Sequence, residues 1–241
     1  MSSFLPAKAM VFAAGFGKRM RPLTDHLPKP LVTVAGKPLI DHALDRFAIA
    51  GVDTAIVNVH YLADQIEAHL ASRKSPRILV SDEREKLLDQ GGGIAKVLPL
   101  LGQDPFFLSN TDAFFVEGPA DNLRALAAAW DPERMDILLL VAAVAASIGI
   151  DSPGDFNMAA DGRLTRRPER KIAPFVYTGI GIVKPGLFKE ETRDVFPLAP
   201  FFFAAAGKGR LFGQRLDGHW FHVGTPQAIE EAERKLARGL V

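Results

Sequence analysis

The stretch from Val11 to Pro38, VFAAGFGKRMRPLTDHLPKPLVTVAGKP, constrains this chain more than any other. It opens as an apolar run to Ala14 and turns glycine-rich at Gly15 and Gly17. It becomes basic at Lys18, Arg19 and Arg21, then closes on Pro28-Lys29-Pro30. A short apolar run bounded by glycine reads as a strand buried on both faces, the kind found in parallel sheets covered by helices. A cationic glycine turn directly after such a strand can grip phosphate, with backbone N–H groups and a guanidinium as donors.

The rest of the chain repeats the strand–helix alternation. Lys8 to Ala14 is the first strand. Pro38 to Ala50 is a helix with Pro in its first turn, a core face at Leu39, Ile40, Ala43, Leu44 and Phe47, and Gly51 as its stop. Strands follow at 53–59, 77–81, 106–109 and 136–144, with helices at 62–72, 94–101 and 119–130. This order predicts an α/β fold: a doubly wound, mostly parallel, Rossmann-like sheet over residues 1–145. The texture then changes. A short strand near 156–159, a hairpin turn at Asp161-Gly162, a long strand at 175–183, a helical turn at 185–188 and a partly helical 196–206 predict a smaller α+β part over 146–241. Strands at 211–216 and 220–223 read as a last pair, and Thr225-Pro226 caps a final helix at 227–238. Both parts are expected to form one domain of 241 residues.

Composition narrows the function. The net charge of +1 gives no global field for nucleic acid or an acidic membrane, so any anion site is local. No cysteine is present, which excludes disulfides, a thiol nucleophile and thiolate metal sites, and fits a reducing, cytoplasmic setting. The apolar runs at 9–16 and 137–150 are too short to span a bilayer.

Familiar phosphate loops do not fit the glycine turn. A dinucleotide fingerprint needs a third glycine where Met20 stands, with a helix opening where Pro22 follows. A Walker A loop needs Ser or Thr where Arg19 stands and a glycine where Phe12 stands. A different nucleoside triphosphate loop remains, with Arg19 as a planar fork and Lys29 as a cation on a backbone restricted by two prolines.

The whole string, Ala13-Ala14-Gly15 through Arg19 to Pro22-Leu23-Thr24, then Pro28-Lys29-Pro30-Leu31 and Gly36-Lys37-Pro38, resembles the signature of the sugar-1-phosphate nucleotidyltransferases. The likeness continues through Gly91-Gly92-Gly93, Asn110-Thr111-Asp112, Gly154-Asp155-Phe156, Tyr177-Thr178-Gly179-Ile180 and Val223-Gly224-Thr225-Pro226. Within that family, the chain length and the Asp89-to-Ile94 loop look most like the N-acetylmuramate-1-phosphate uridylyltransferases of peptidoglycan recycling.

The resemblance implies a GT-A-like nucleotidyltransferase fold. It implies transfer of a nucleoside monophosphate from a triphosphate such as UTP to a sugar-1-phosphate, with release of pyrophosphate. Ala13, Ala14, Gly15, Gly17 and Lys18 would bind the triphosphate, and Gly91, Gly92 and Asn110 the nucleoside, the two glycines letting backbone approach the base edge. Arg19 would hold the leaving pyrophosphate and Lys29 the α-phosphate. Gly154, Asp155, Tyr177, Thr178 and Gly179 would line the sugar pocket, and Lys171 is a candidate for the sugar phosphate. Asp112 would ligate Mg²⁺, a hard ion that prefers oxygen. The family's second oxygen ligand falls on His222 here. Imidazole suits softer metals. His222 can therefore be read as a ligand to Mn²⁺, as the holder of a bridging water, or as a hydrogen-bonded neighbour of Trp220 with the metal on Asp112 alone. Two other substrate pairs stay open: a guanylyltransferase acting on mannose-1-phosphate, and a thymidylyl- or uridylyltransferase acting on glucose-1-phosphate. A nucleotide-sugar sensor without turnover is the alternative from another class.

Overall fold

The structure, a computed structural model, describes residues 4–239. The chain opens with β1 (Lys8–Phe12), whose three central residues are fully buried. After the glycine loop come β2 (Thr33–Val34) and β3 (Lys37–Pro38), a small hairpin turned by Ala35 and Gly36. Both turn residues have positive φ, 54° and 72°, as a tight hairpin requires. Helix α1 (Leu39–Ala50) follows with Pro38 at its N-cap, one position earlier than the sequence predicts, and ends at Gly51, φ 97°. Then come β4 (Thr54–Val59), α2 (Ala63–Leu70), β5 (Arg77–Asp82), α3 (Asp89–Leu101), β6 (Phe106–Asn110), β7 (Ala113–Glu117), α4 (Asn122–Ala128) and β8 (Ile137–Ala143). The second part of the chain supplies β9 (Phe156–Met158), β10 (Leu164–Arg166), β11 (Phe175–Val183), α5 (Ala199–Gly207), β12 (Leu211–Arg215), β13 (Gly218–His222) and α6 (Pro226–Ala237).

Strands β5, β4, β1 and β6 lie side by side in parallel. Antiparallel β11 follows, then β8, and β12 pairs parallel with β8. The β9–β10 hairpin joins the start of β11 through Phe156 and Phe175. The expected mostly parallel α/β sheet is therefore present. Burial on both faces explains why its central strands lack apolar–polar alternation. On β1, Ala9 and Val11 face α1, α2 and α4, while Met10 faces α3 and α5. No helix among the described residues is long and apolar enough to cross a membrane.

Two pairings differ from the sequence reading. β12 and β13 do not pair with each other: β12 extends the main sheet, and β13 forms a separate two-stranded sheet with β7. The aromatic residues account for this partnership, because Phe114 of β7 and Phe221 of β13 stack with ring centroids 4.8 Å apart. β7 itself is absent from the sequence reading, its Phe-Phe pair masked by the adjoining Asn110-Thr111-Asp112 turn. A small third core lies beneath the glycine loop, where Met20, Val34, Leu39, Phe114, Phe221, Val223 and Ala232 are buried together. Helix α6 secures it, with Thr225 capping its N-terminus and Glu233 accepting from the Ala35 N–H at 2.7 Å.

Candidate active site

The carboxyl ends of β1, β4 and β6 open into a crevice, the usual ligand position of an open α/β sheet. Beyond β1 the backbone runs through Ala13, Ala14 and Gly15 to Gly17, which has φ 64°. A methyl group at Gly17 would sit 3.0 Å from Lys29 Cβ and Thr24 Cγ2, so that position needs both the left-handed backbone and the missing side chain. Lys18, Arg19 and Met20 make one short helical turn. Met20 points down into the small core, while Lys18 and Arg19 stay exposed. Lys29, Pro30 and Leu31 make a second such turn, closed by Leu31 N–H to the Pro28 carbonyl at 2.9 Å. The crevice has a volume of about 550 Å³ and is walled by Ala13 to Gly15, Gly17 to Met20, Lys29, Asn110 and Asp112.

Two charges from distant parts of the chain meet at its floor. Lys29 Nζ donates to Asp112 Oδ2 at 3.1 Å, and His222 Nε2 lies 3.7 Å from the same oxygen. Burial depresses the Lys29 ammonium, against the pull of Asp112 and with Arg19 adding to the depression. Burial alone would raise the Asp112 carboxyl. The His222 imidazole and the Lys29 ammonium overcome it and hold the carboxyl below the usual carboxylate range. His222 also stacks on Trp220 with centroids 5.8 Å apart, so its place as a neighbour of Trp220 and its place beside Asp112 coexist. Gly224 makes room for that ring, because a methyl there would lie 2.6 Å from His222 Cε1.

Among the described residues, no group of three or more His, Asp or Glu side chains gathers as a metal cluster. A cation here would take Asp112, and His222 at most, from the protein. Phosphate oxygens and water would complete its shell, which is how Mg²⁺ is held at many nucleotide sites. The donor set fits an ion that arrives with its nucleotide.

Gly91 and Gly92 do not line the crevice. They lie buried in the first turn of α3, which begins at Asp89 and not after the glycines. A methyl group at Gly91 would overlap the Phe196 ring, and one at Gly92 the Asp194 carbonyl oxygen. The Gly91 and Gly92 N–H groups both donate to the Phe196 carbonyl, at 3.0 and 3.2 Å. The close backbone approach that these glycines permit is therefore to the chain's own 194–196 segment. The crevice wall on this side is Leu87, Asp89, Gln90 and Val195.

A buried relay absent from the sequence reading joins the two sides of the crevice. The Ala13 N–H donates to Asn58 Oδ1 at 2.8 Å, and Asn58 Nδ2 donates to Glu83 Oε1 at 2.9 Å. The Leu88 N–H donates to Glu83 Oε2 at 3.1 Å. Asn58 and Glu83 are 3% and 2% exposed. A signal for Asn58 existed, since it is the one amide in the apolar run TAIVNV. Glu83 sits in a charged stretch, Asp82 to Lys86, that resembles an ordinary solvated segment.

Two further cavities adjoin the crevice, and Asn110 borders all three. The second, of about 530 Å³, lies between residues 149–152, the middle of β11 and His222. Strand β11 carries a bulge between Tyr177 and Gly181. Gly179, at the bulge, has φ 92°, and a methyl there would lie 2.8 Å from Asn110 Cβ. Thr178 lines this cavity, yet its hydroxyl is buried on the Leu140 carbonyl at 2.8 Å. The third cavity, of about 710 Å³, is bordered by Gly154, Asp155, Arg166, Arg167, Tyr177 and Phe203. Asp155 is held on the Tyr177 N–H at 2.9 Å, and Gly154 packs against the Ala173 carbonyl. The buried Tyr177 hydroxyl has no partner among the described residues. Burial, reinforced by the Asp112 charge, holds its phenol well above the usual range. Lys171 is exposed and borders none of the three cavities; Arg166 and Arg167 are the cations there.

Residues 9–191 match the family described as the MobA-like NTP transferase domain. This chain belongs to that family. The transferase is 48% identical over 236 residues to the N-acetylmuramate α-1-phosphate uridylyltransferase of Caulobacter vibrioides, covering 96% of this chain and 98% of that one. It is 37% identical to the protein of the same name from Neisseria meningitidis, covering 94% and 96% of the two chains. Among solved structures, a UDP-glucose pyrophosphorylase complexed with UDP-glucose superimposes with a TM-score of 0.75 at 17% identity, over 96% of this chain and 98% of that one. That likeness establishes the nucleotidyltransferase fold of this transferase and nothing finer.

Proposed function

We propose that this transferase moves a uridylyl group from UTP to N-acetylmuramate α-1-phosphate and releases pyrophosphate, as part of cytoplasmic peptidoglycan recycling. The observation that carries the reading is the Lys29–Asp112 pair, 3.1 Å long, at the seam between the glycine-loop crevice and the β11 cavity. A phosphoryl-transfer site needs its fixed charge where two polyanions meet. The likeness to two uridylyltransferases of that name supports the choice of sugar and base.

In this reading residues 1–145 bind the nucleotide and residues 146–241 the sugar. The backbone of Ala13 to Gly17 cradles the triphosphate and Lys18 flanks it. Arg19, exposed on the crevice rim, holds the β- and γ-phosphates as they leave. Gln90, Val195 and Asn110 face the nucleoside. The sugar sits over the β11 bulge, bordered by Gly154, Asp155, Tyr177, Thr178 and Gly179. A phosphate oxygen of the sugar phosphate attacks the α-phosphorus while the bond to the bridging oxygen of pyrophosphate breaks. The attacking oxygen is already anionic, so no residue has to take a proton. Lys29 meets the charge that builds on the α-phosphate. Asp112, with His222 beside it, would hold the Mg²⁺ or Mn²⁺ that neutralises the phosphates when bound.

The test is a panel of UTP, dTTP, GTP and CTP against N-acetylmuramate-, N-acetylglucosamine-, glucose- and mannose-1-phosphates, read by pyrophosphate release with Mg²⁺ and with Mn²⁺. UTP with the muramate phosphate is expected to give the highest kcat/KM. A better guanylyl or thymidylyl pair would overturn the substrates. Nucleotide binding with no pyrophosphate from any pair would overturn the enzymatic reading in favour of a sensor.

A further inference from the structure

Arg166 and Arg167 are adjacent on the rim of the third cavity, yet their surroundings differ. Arg167 is engaged through two of its nitrogens: its Nε donates to the Gly154 carbonyl at 2.9 Å, and its Nη1 to the Lys171 and Pro168 carbonyls at 2.9 and 3.3 Å. It pins the 167–171 loop against the start of the sugar cavity. Arg166 ends β10 and lays its guanidinium over the Phe203 ring, 4.0 Å from the centroid. Nearby Arg163 pairs with Asp161, whereas Arg166 enters no ion pair among the described residues. Its planar fork therefore rests on the ring and keeps its donors free among the described residues. A stacked guanidinium keeps its edge N–H groups available for a carboxylate.

The third cavity is bordered by Asn110 and Tyr177, which also line the cavity that holds Asp112, and by Gly154, Arg166 and Phe203. A plain hexose phosphate carries no anion besides its phosphate. An N-acetylmuramate carries one more, the carboxylate of the lactyl ether on its third carbon. With the phosphate held at the Lys29–Asp112 seam, a second anion on the same sugar calls for a cation on the far side of the cavity. Glu169 also borders the cavity, and an acidic side chain there can accept from a sugar hydroxyl or amide N–H.

We infer that Arg166, braced on Phe203, binds the carboxylate of the sugar's ether substituent and thereby selects a muramate over its unsubstituted parent amino sugar. The inference rests on the proposed uridylyl transfer to a muramate phosphate. Such a pair predicts discrimination on the order of 10–100-fold, the usual range for a charge-assisted hydrogen bond lost on removing one partner.

The test compares kcat/KM for N-acetylmuramate α-1-phosphate and N-acetylglucosamine α-1-phosphate, with saturating UTP, in the wild type, Arg166→Ala, Arg166→Lys and Phe203→Leu. The wild type should prefer the muramate. Arg166→Ala should shrink that preference about 10–100-fold, mainly through the KM of the muramate. Arg166→Lys should restore part of it, and Phe203→Leu should weaken it less than Arg166→Ala does. A ratio measured within one protein is insensitive to a fraction of unfolded enzyme. If Arg166→Ala lowers both sugars equally, or keeps the wild-type preference, the inference is wrong although the uridylyl-transfer reading stands. If the wild type itself uses no muramate phosphate, both fall together.

Discussion

Changing Glu83 to Gln alters one buried oxygen and leaves the volume almost unchanged. Glu83 accepts at both oxygens, from Asn58 Nδ2 and from the Leu88 N–H. Glutamine offers one acceptor and one NH₂. If its oxygen stays on Leu88, its NH₂ faces the Asn58 NH₂. If Asn58 then flips, its NH₂ faces the Ala13 N–H, which now donates to Asn58 Oδ1. If the glutamine oxygen instead stays on Asn58, its NH₂ faces the Leu88 N–H. Every orientation leaves two buried donors opposed, and the Asn58 flip only moves the conflict from the Asn58–glutamine contact to the glycine loop. A buried group left without its partner costs about 1–3 kcal/mol. For a chain of this size that lowers Tm by about 2–10 °C. Because the relay ends at Ala13, a crevice wall, and at Leu88, between the wall residues Leu87 and Asp89, the KM for UTP should rise as well. The compensating change is Asn58→Asp. In the double variant the introduced carboxylate accepts from the Ala13 N–H and from the NH₂ of the introduced glutamine, whose own oxygen accepts from Leu88. Asn58→Asp alone sets two carboxylates together and should be worse than wild type. A double-mutant cycle by urea unfolding, with UTP KM measured in parallel, should therefore show a favourable coupling of about 1–3 kcal/mol. If Glu83→Gln is as stable as wild type, or the double variant loses the sum of the two single losses, the relay as described does not exist.

Lys29→Ala should lower kcat by about 100–1,000-fold, as expected for loss of a positioned charge; unchanged turnover in a pyrophosphate assay would remove Lys29 from the reaction. Gly92→Ala should destabilise by about 1–3 kcal/mol, because its methyl overlaps the Asp194 carbonyl and separates α3 from the 194–196 segment; a wild-type urea midpoint would contradict that packing. His42 stacks on Phe114 and meets the Val34 carbonyl at 2.9 Å. Burial depresses its imidazole, with the Val34 bond opposing, Lys37 and Arg46 adding and Asp45 opposing. The unfolded chain then takes up a proton below about pH 6.5 that the folded chain refuses, so stability falls as pH drops through that value. His42→Asn should lose less between pH 7 and 5 than the wild type does; equal slopes would mean that another group sets them.

Much of the sheet was legible because buried strands and amphipathic helices alternate, and both leave periodic marks in the sequence. The place of the glycine loop at the crevice was legible because a glycine turn directly after a buried parallel strand falls at the carboxyl end of the sheet. Gly91 and Gly92 were misplaced for a physical reason. A glycine pair signals close approach without naming what approaches, and here it is the Phe196 backbone and not a base. β7 and its pairing with β13 were hidden because strand partners so distant in sequence are chosen by packing, in this case Phe114 on Phe221. Glu83 lay beyond reach of pattern reading, since a carboxylate satisfied by one amide and one backbone N–H looks in sequence like any surface charge.

The small core beneath the glycine loop has a temporal consequence. Met20, Val34 and Leu39 are covered by Phe221 and Val223 of the last strand and by Ala232 of the last helix. Roughly two hundred positions separate the loop from its support. During synthesis the first half of the sheet can pair and pack while the loop still has no floor. The glycine loop, first in the chain, is therefore finished last, and a ribosome-bound chain short of its final helix should hold its sheet before it can hold the shape of the crevice.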